Sequence, residues 1–78
     1  MREKLISETN LRRLDAVSNF LREYRINSGL RQEDISSDSV HRNTISRAEN
    51  SNNITLISLF EIADSLEIDL VDVFNGVE

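Results

Sequence analysis

The chain of 78 residues carries nine Lys and Arg against fourteen Asp and Glu, and it has no cysteine and no proline. This length allows one domain with a small core, and without cysteine there is neither a disulfide framework nor a cysteine-based zinc site. The sequence lacks an apolar run of about 18 residues that could span a bilayer, and its start lacks the apolar segment of a secretory signal. We therefore expect a soluble cytoplasmic domain, and the net charge of −5 argues on its own against a nucleic-acid partner.

The charge is unevenly distributed along the chain. Residues 1–47 hold all nine basic residues and seven acids, a net charge of +2, whereas residues 48–78 hold seven acids and no Lys or Arg, a net charge of −7. Such asymmetry is typical of a polyanion-binding surface with an acidic far side, or of a solvated surface on which charges cluster by chance.

Apolar residues at helical spacing predict a first helix over about 11–27. Its expected apolar face comprises Leu11, Leu14, Val17, Phe20, Leu21 and Tyr24. Thr9 or Asn10 can cap its start, and Gly29 follows its end, where a residue of positive φ is common. We expect residues 1–10 to be an N-terminal extension, either disordered or continuing this helix, and residues 11–78 to be the domain.

Four more helices are predicted after Gly29. The segment from Leu30 to Asp38 predicts a short, weak helix, because its serines have poor helix propensity. Residues 40–50 follow with Val40, Ile45 and Ala48 turned inward. Thr55 can cap a helix over 56–66, and Asp69 can cap a last one over 70–74. The buried stripe expected on the fourth helix is Leu56, Leu59, Phe60, Ile62, Ala63 and Leu66. No segment alternates with period two, so the predicted fold is all-α with five helices.

The outward face of residues 42–50 is the most informative feature for function. Arg42, Asn43, Ser46 and Arg47 share one side of a helix, at positions i, i+1, i+4 and i+5. Arginine pairs with guanine and asparagine with adenine when a helix enters the major groove. A solvated polar face would carry the same residue types, so composition leaves both interpretations open.

Two segments carry a family resemblance, Gly29 to Ile35 and Val40 to Asn50 (GLRQEDI and VHRNTISRAEN), and it continues from Leu59 through Phe74-Asn75-Gly76. Together they resemble the Cro/C1-type helix-turn-helix family, the phage-repressor or Xre-like group of bacterial transcription regulators, over about residues 17–76. The resemblance implies a lambda-repressor-like fold of five helices whose partner is double-stranded DNA.

The resemblance also implies roles for individual residues. Gln32 matches a glutamine that opens the second helix, meets a phosphate and steadies a polar residue of the recognition helix. Arg42 and Asn43 match positions that look toward base edges, and Thr44 matches a small hydroxyl residue near the backbone or the groove floor. The remaining matches imply phosphate contacts for Arg31 and His41 in the flanking turns, a base or phosphate contact for Arg47, and a phosphate-holding loop from Asn50 to Asn53. Ser46 is a further candidate because it lies on the same exposed face of the helix.

Other matches imply structural roles and mark departures from the family pattern. Arg25 and Glu49 match an internal salt bridge between the first helix and the end of the third. The spacing from Gln32 to Glu49 is 17 residues, one shorter than usual, and the turn lacks the family's glycine, with Asp38 or Ser39 nearby. The usual apolar end of the second helix is also missing, Ala48 replaces a larger aliphatic residue, and the loop over 51–53 lacks Lys and Arg. The short turn puts the tilt of the recognition helix in question.

No set of residues predicts catalysis, a cofactor, a metal ion or a small-molecule ligand. His41 has no neighbours in sequence that would make it a catalytic or metal-binding group. The acids from Glu61 to Asp72 lack the spacing and glycine of a calcium loop, so an acidic solvent face is the better interpretation.

Two functional hypotheses remain. The first is a sequence-specific DNA-binding regulator that acts as a homodimer on an operator with two half-sites. The symmetric contact between the two copies would lie in the N-terminal extension or at the apolar residues Leu70, Val71, Val73 and Val77. These four residues could instead close the core. A restriction–modification controller, an antitoxin or a mobile-element repressor would fit. The alternative is a protein-interaction module, antitoxin-like, that keeps the fold with weak or no DNA binding.

Overall fold

The structure is a computed structural model that describes residues 6–77, and within this range it contains five helices and no strand. The helices are α1 (Glu8–Asn27), α2 (Gln32–Ile35), α3 (Arg42–Glu49), α4 (Leu56–Leu66) and α5 (Leu70–Phe74). This confirms the predicted all-α fold of five helices. None of the helices in residues 6–77 is long and apolar enough to cross a bilayer.

Helix α1 begins earlier than the apolar pattern predicts. Its N-cap is Ser7, whose hydroxyl oxygen accepts a hydrogen bond from the backbone N–H of Asn10 at 3.1 Å, so the expected caps, Thr9 and Asn10, lie inside the helix. The pattern missed this start because residues 8–10 are polar and exposed. The possible disorder of residues 1–5 lies outside the described residues.

The end of α1 is closed by Gly29, as predicted. Gly29 has a φ of +75°. The Leu30 N–H reaches the Arg25 carbonyl at 3.1 Å, and the Gly29 N–H reaches the Ile26 carbonyl at 2.9 Å. These are the two hydrogen bonds of a Schellman motif, which turns the chain sharply from α1 into α2.

The turn between α2 and α3 is held by serine side chains in place of a glycine. Ser37 Oγ accepts hydrogen bonds from the N–H groups of Ser39 at 3.1 Å and Val40 at 3.3 Å, and the Ser37 N–H donates to the Val40 carbonyl at 2.9 Å. No residue of this turn has a positive φ. The missing glycine therefore has a physical explanation, because the local backbone never enters the left-handed region.

Helices α4 and α5 have the predicted bounds, but their predicted caps differ in outcome. Thr55 Oγ1 accepts from the Ser58 N–H at 3.1 Å and caps α4 as expected. Asp69 occupies the N-cap position of α5, yet its side chain accepts no backbone hydrogen bond there. Helix α4 ends in another positive-φ residue, Glu67, with a φ of 57°.

The core lies where α1, α3 and α4 meet, closed by α2 and α5. Its buried members are Leu21, Ile35, Val40, Ile45, Ala48, Leu59, Ile62, Leu66 and Val73, with Val17, Phe20, Leu30, Ile54, Ile68 and Leu70 packed against them. Val73 and Leu70 thus close the core, which is the second of the two roles that the sequence left open for them. They are not free to form the symmetric contact of a homodimer.

The apolar stripes predicted for α1 and α4 are only partly buried. Leu11 and Tyr24 at the two ends of α1 remain exposed, so the packed part of that stripe is its middle. On α4, Leu56 is 66% exposed and Phe60 is 38% exposed. Leu56 stands in the first turn of its helix beside an open groove, and for that reason spacing alone placed it wrongly in the core.

Candidate nucleic-acid interface

The exposed side of α3 carries the side chains expected to contact bases. Arg42 and Asn43 are exposed at the first two helical positions, and neither side chain has a hydrogen bond or ion pair within residues 6–77. Thr44 and Ser46 are half-buried, whereas Ile45 on the opposite side is fully buried. The burial of Ile45 and Ala48 fixes the rotation of α3 and turns Arg42 and Asn43 outward.

His41 is the N-cap of α3. Its Nδ1 accepts a hydrogen bond from the Asn43 N–H at 3.0 Å. Because Nδ1 is engaged as an acceptor, Nε2 is the ring nitrogen left to meet another group. His41 thus positions the first turn of α3, a structural role beyond the phosphate contact expected from the sequence.

Arg47 and Asn50 are tied to the chain around the end of α3. The Arg47 guanidinium donates to the Asn53 carbonyl at 3.2 Å, and the Asn50 amide donates to the Ser46 carbonyl at 2.7 Å. Both residues are exposed, so neither of these hydrogen bonds hides its side chain from solvent. Arg47 consequently links the expected base-reading helix to the expected phosphate-holding loop.

Arg31 and Gln32 stand at the start of α2 with different surroundings. Arg31 is exposed and pairs with Glu33 at 3.0 Å and with Asp34 at 3.6 Å. Such surface pairs contribute little to stability, so a phosphate can compete for this guanidinium. Gln32 is half-buried, and its amide donates to Glu49 Oε1 at 3.1 Å, which joins the start of α2 to the end of α3.

Glu49 is the junction that holds the helix-turn-helix against α1. Arg25 Nε donates to Glu49 Oε2 at 2.6 Å, and Arg25 Nη2 donates to Glu49 Oε1 at 3.0 Å. A third donor of Arg25, Nη1, reaches the Leu30 carbonyl at 2.7 Å. The hydrogen bond with Glu49 raises the pKa of Arg25 above its ordinary value, although burial acts in the opposite direction. The salt bridge implied by the resemblance is therefore present.

A polar contact that the sequence analysis missed anchors the loop after α3. Ser51 has a φ of 60°, its N–H donates to Ser18 Oγ at 3.2 Å, and its hydroxyl donates to Asp15 Oδ1 at 2.5 Å. Ser18 is 1% exposed. The available signal was a small polar residue inside the apolar stripe of α1, between Leu14 and Leu21, because a buried hydroxyl requires a partner.

No described part of the chain, residues 6–77, groups three or more His, Asp or Glu side chains so that they could hold a metal ion. The geometry instead presents an exposed helix face with Arg and Asn at its start, fixed by buried contacts to two other helices. This arrangement suits the insertion of one helix into a DNA groove.

Comparison with known proteins finds a family match. The family model described as helix-turn-helix matches residues 21–73, which is more than half of the chain. A search of curated proteins and a search of solved structures found no match. The matched range runs from the end of α1 to α5 and includes the whole of α2 and α3. The chain therefore belongs to the Cro/C1-type helix-turn-helix family, a family of DNA-binding regulators.

Proposed function

We propose that this protein is a sequence-specific transcriptional regulator, a repressor, that acts in the cytoplasm as a homodimer and inserts α3 into the major groove. The observation that carries the proposal is the pair Arg42 and Asn43, exposed at the start of α3 and without intramolecular partners within residues 6–77. Their guanidinium and amide groups match the edges of guanine and adenine.

The phosphate contacts belong to residues around this pair. We assign phosphate contacts to Arg31 and Gln32 at the start of α2 and to His41, through its Nε2, at the N-cap of α3. Thr44, Ser46, Arg47 and Asn50 complete the interface that we propose. Phosphate contacts fix the register of the protein on the duplex, and base contacts select the sequence.

The homodimer follows from the small size of the reading surface. One helix reads only a few base pairs, and a symmetric pair reads two half-sites about 34 Å apart. Val71 on α5 is 77% exposed, and Val77, three residues after the end of α5, is half-buried, so we place the symmetric contact there, with the N-terminal extension as a second contributor. Leu70 and Val73 are excluded because they pack in the core.

The test first identifies a preferred duplex. The DNA upstream of the chain's own coding sequence is tried as a candidate, and a preferred sequence is also selected from random DNA. Fluorescence anisotropy then compares Arg42→Ala with Arg22→Ala. Both variants lose one exposed arginine, but Arg22 lies on α1 outside the proposed interface. We expect Arg42→Ala to weaken binding by about 1–3 kcal/mol, roughly fivefold to 150-fold, and Arg22→Ala to change it by less than about twofold.

Equal losses for the two variants would contradict the proposal, because they would assign binding to net charge and not to α3. A chain that binds no duplex better than random DNA would contradict it as well. Asn43→Ala provides a further check: it should relax selectivity at one base pair without altering the charge.

A further inference from the structure

The outward side of α4 carries large apolar residues that the fold does not bury. Leu56 and Ile57 are each 66% exposed, and Phe60 is 38% exposed. The buried side of the same helix is formed by Leu59, Ile62, Ala63 and Leu66, so the core is already supplied without them. Helix α4 has 11 residues and exposes three of its largest apolar side chains, so it carries an exposed apolar patch. Such patches mark interaction sites.

Acidic residues continue this surface along the helix. Glu61 and Asp64 follow Ile57 and Phe60 at i+4, so they lie on the same side of α4 one turn further on. Asp64 is exposed and Glu61 is half-buried, and neither has an ion pair within residues 6–77. We call the set Leu56, Ile57, Phe60, Glu61 and Asp64 the α4 outer face.

A groove adjoins the first turn of this face. Leu56 lines it together with Leu14 of α1, Leu59 of α4 and Phe74 of α5, and its cavity volume is about 160 Å³. A cavity of about 150 Å³ accepts a benzene-sized group, so this groove can admit one apolar side chain of a partner. The apolar surface is therefore recessed at one end and acidic at the other.

We propose that the α4 outer face is a docking surface for a basic amphipathic helix of a partner protein. The apolar residues of that helix would cover Leu56, Ile57 and Phe60 with one side chain in the groove, and its Lys or Arg residues would face Glu61 and Asp64. Charge complementarity selects this occupant, since residues 56–74, which span α4 and α5, contain five acids and no Lys or Arg.

A second copy of the chain is a poorer occupant of this face. In a two-fold dimer the same patch meets itself, so Glu61 and Asp64 of one copy would approach the acidic residues of the other. Like charges across an interface oppose association. The inference goes beyond the proposed function, because the α4 outer face shares no residue with the proposed DNA interface or with Val71 on α5.

The probe is a synthetic, fluorescein-labelled amphipathic helix of about 18 residues composed of leucine and lysine, and a matched peptide has glutamate in place of lysine. Fluorescence anisotropy measures the binding of both peptides to the full chain. One variant, Leu56→Ser/Phe60→Ser, removes apolar contacts. A second, Glu61→Lys/Asp64→Lys, reverses two charges, and Glu8→Lys/Asp38→Lys is its control because it makes the same change in net charge at exposed positions elsewhere.

We expect the lysine peptide to bind at least about tenfold more tightly than the glutamate peptide, and we expect each α4 variant to weaken that binding about tenfold. The Glu8→Lys/Asp38→Lys control should weaken it less than about twofold. Circular dichroism of every variant verifies folding, which surface substitutions of this kind leave intact.

Three results would overturn the proposal: no binding of the lysine peptide, equal weakening by the charge reversal and its control, or a wild-type dimer in sedimentation that Leu56→Ser/Phe60→Ser converts to monomer. The third result would assign the face to a second copy. DNA binding by the same variants is measured in parallel, so the failure of the proposed regulator function is distinguishable from the failure of this surface.

Discussion

Glu49 shows how much of this fold depends on a single side chain. Its carboxylate is 3% exposed, and it accepts hydrogen bonds from Arg25 of α1 and Gln32 of α2 while belonging to α3. One buried carboxylate therefore joins three helices and helps to hold them in register. The orientation of Arg42 and Asn43, seven and six residues earlier in the same helix, depends on that register.

We predict that Glu49→Ala lowers the free energy of unfolding by about 3 kcal/mol, because it leaves the Arg25 guanidinium largely buried without its counter-ion. Glu33→Ala is the matched control, since Glu33 pairs with Arg31 at the surface; it should cost less than about 0.5 kcal/mol. Urea denaturation monitored by circular dichroism measures both. Equal denaturation midpoints for the two variants would show that the buried Arg25–Glu49 pair contributes no more to stability than the surface pair of Arg31 and Glu33.

Within residues 6–77, three of the five helices end with a residue of positive φ: Gly29 after α1, Ser51 after α3 and Glu67 after α4. The Glu67 N–H donates to the Asp64 carbonyl and the Ile68 N–H to the Ala63 carbonyl, both at 3.0 Å. This is the same pair of contacts that closes α1 around Gly29. A glutamate in that conformation carries backbone strain that a glycine does not.

We predict that Glu67→Gly raises the free energy of unfolding by up to about 1 kcal/mol, because glycine removes this strain and a negative charge at a helix C-terminus. Gly29→Ala should lower it by about 1–2 kcal/mol; apart from the adjacent residues of the chain, no atom lies within 4 Å of the added Cβ, so the cost is backbone strain. Thermal denaturation of both variants gives the signs, and shifts in the same direction would refute the explanation. Gly76→Ala, at a glycine without positive φ and with equally open space, serves as the neutral control.

The sequence permitted α4 and α5 to be predicted with their bounds, because apolar spacing, Thr55 and the Asn75-Gly76 pair all agree there. The Arg25–Glu49 pair was implied by a family resemblance and not by spacing. The polar start of α1 has no apolar signal, and the contact of Ser51 with Ser18 joins positions 33 residues apart, so neither could be predicted locally. The exposure of Leu56 depends on a groove that exists only once α1, α4 and α5 have packed.

At the scale of the whole molecule, the two halves of the chain differ in charge and in the surfaces they expose. The +2 half contains α1, α2 and nearly all of α3, whereas the −7 half contains α4 and α5. We expect the acidic half to lie away from the duplex, where it weakens non-specific attraction to phosphate. Selectivity then depends on a few contacts of α3.

We predict that Arg31→Ala weakens binding to the selected duplex and to random DNA by the same factor, because a phosphate contact carries no sequence information. The slope of log affinity against log salt concentration should fall by about one per protomer. Arg42→Ala should instead bring the two affinities closer together. Anisotropy titrations at several salt concentrations measure both quantities, and a salt slope that is unchanged in Arg31→Ala would remove this residue from the interface.

The most direct test of the central claim is a map of the DNA contact by NMR, for which a chain of 9.0 kDa is well suited. The backbone amide signals of the labelled protein are followed while the selected duplex is added. We predict the largest shift changes at residues 41–47 and at Arg31 and Gln32, with little change on the α4 outer face. Changes concentrated on α4 and α5, with α3 unaffected, would contradict it.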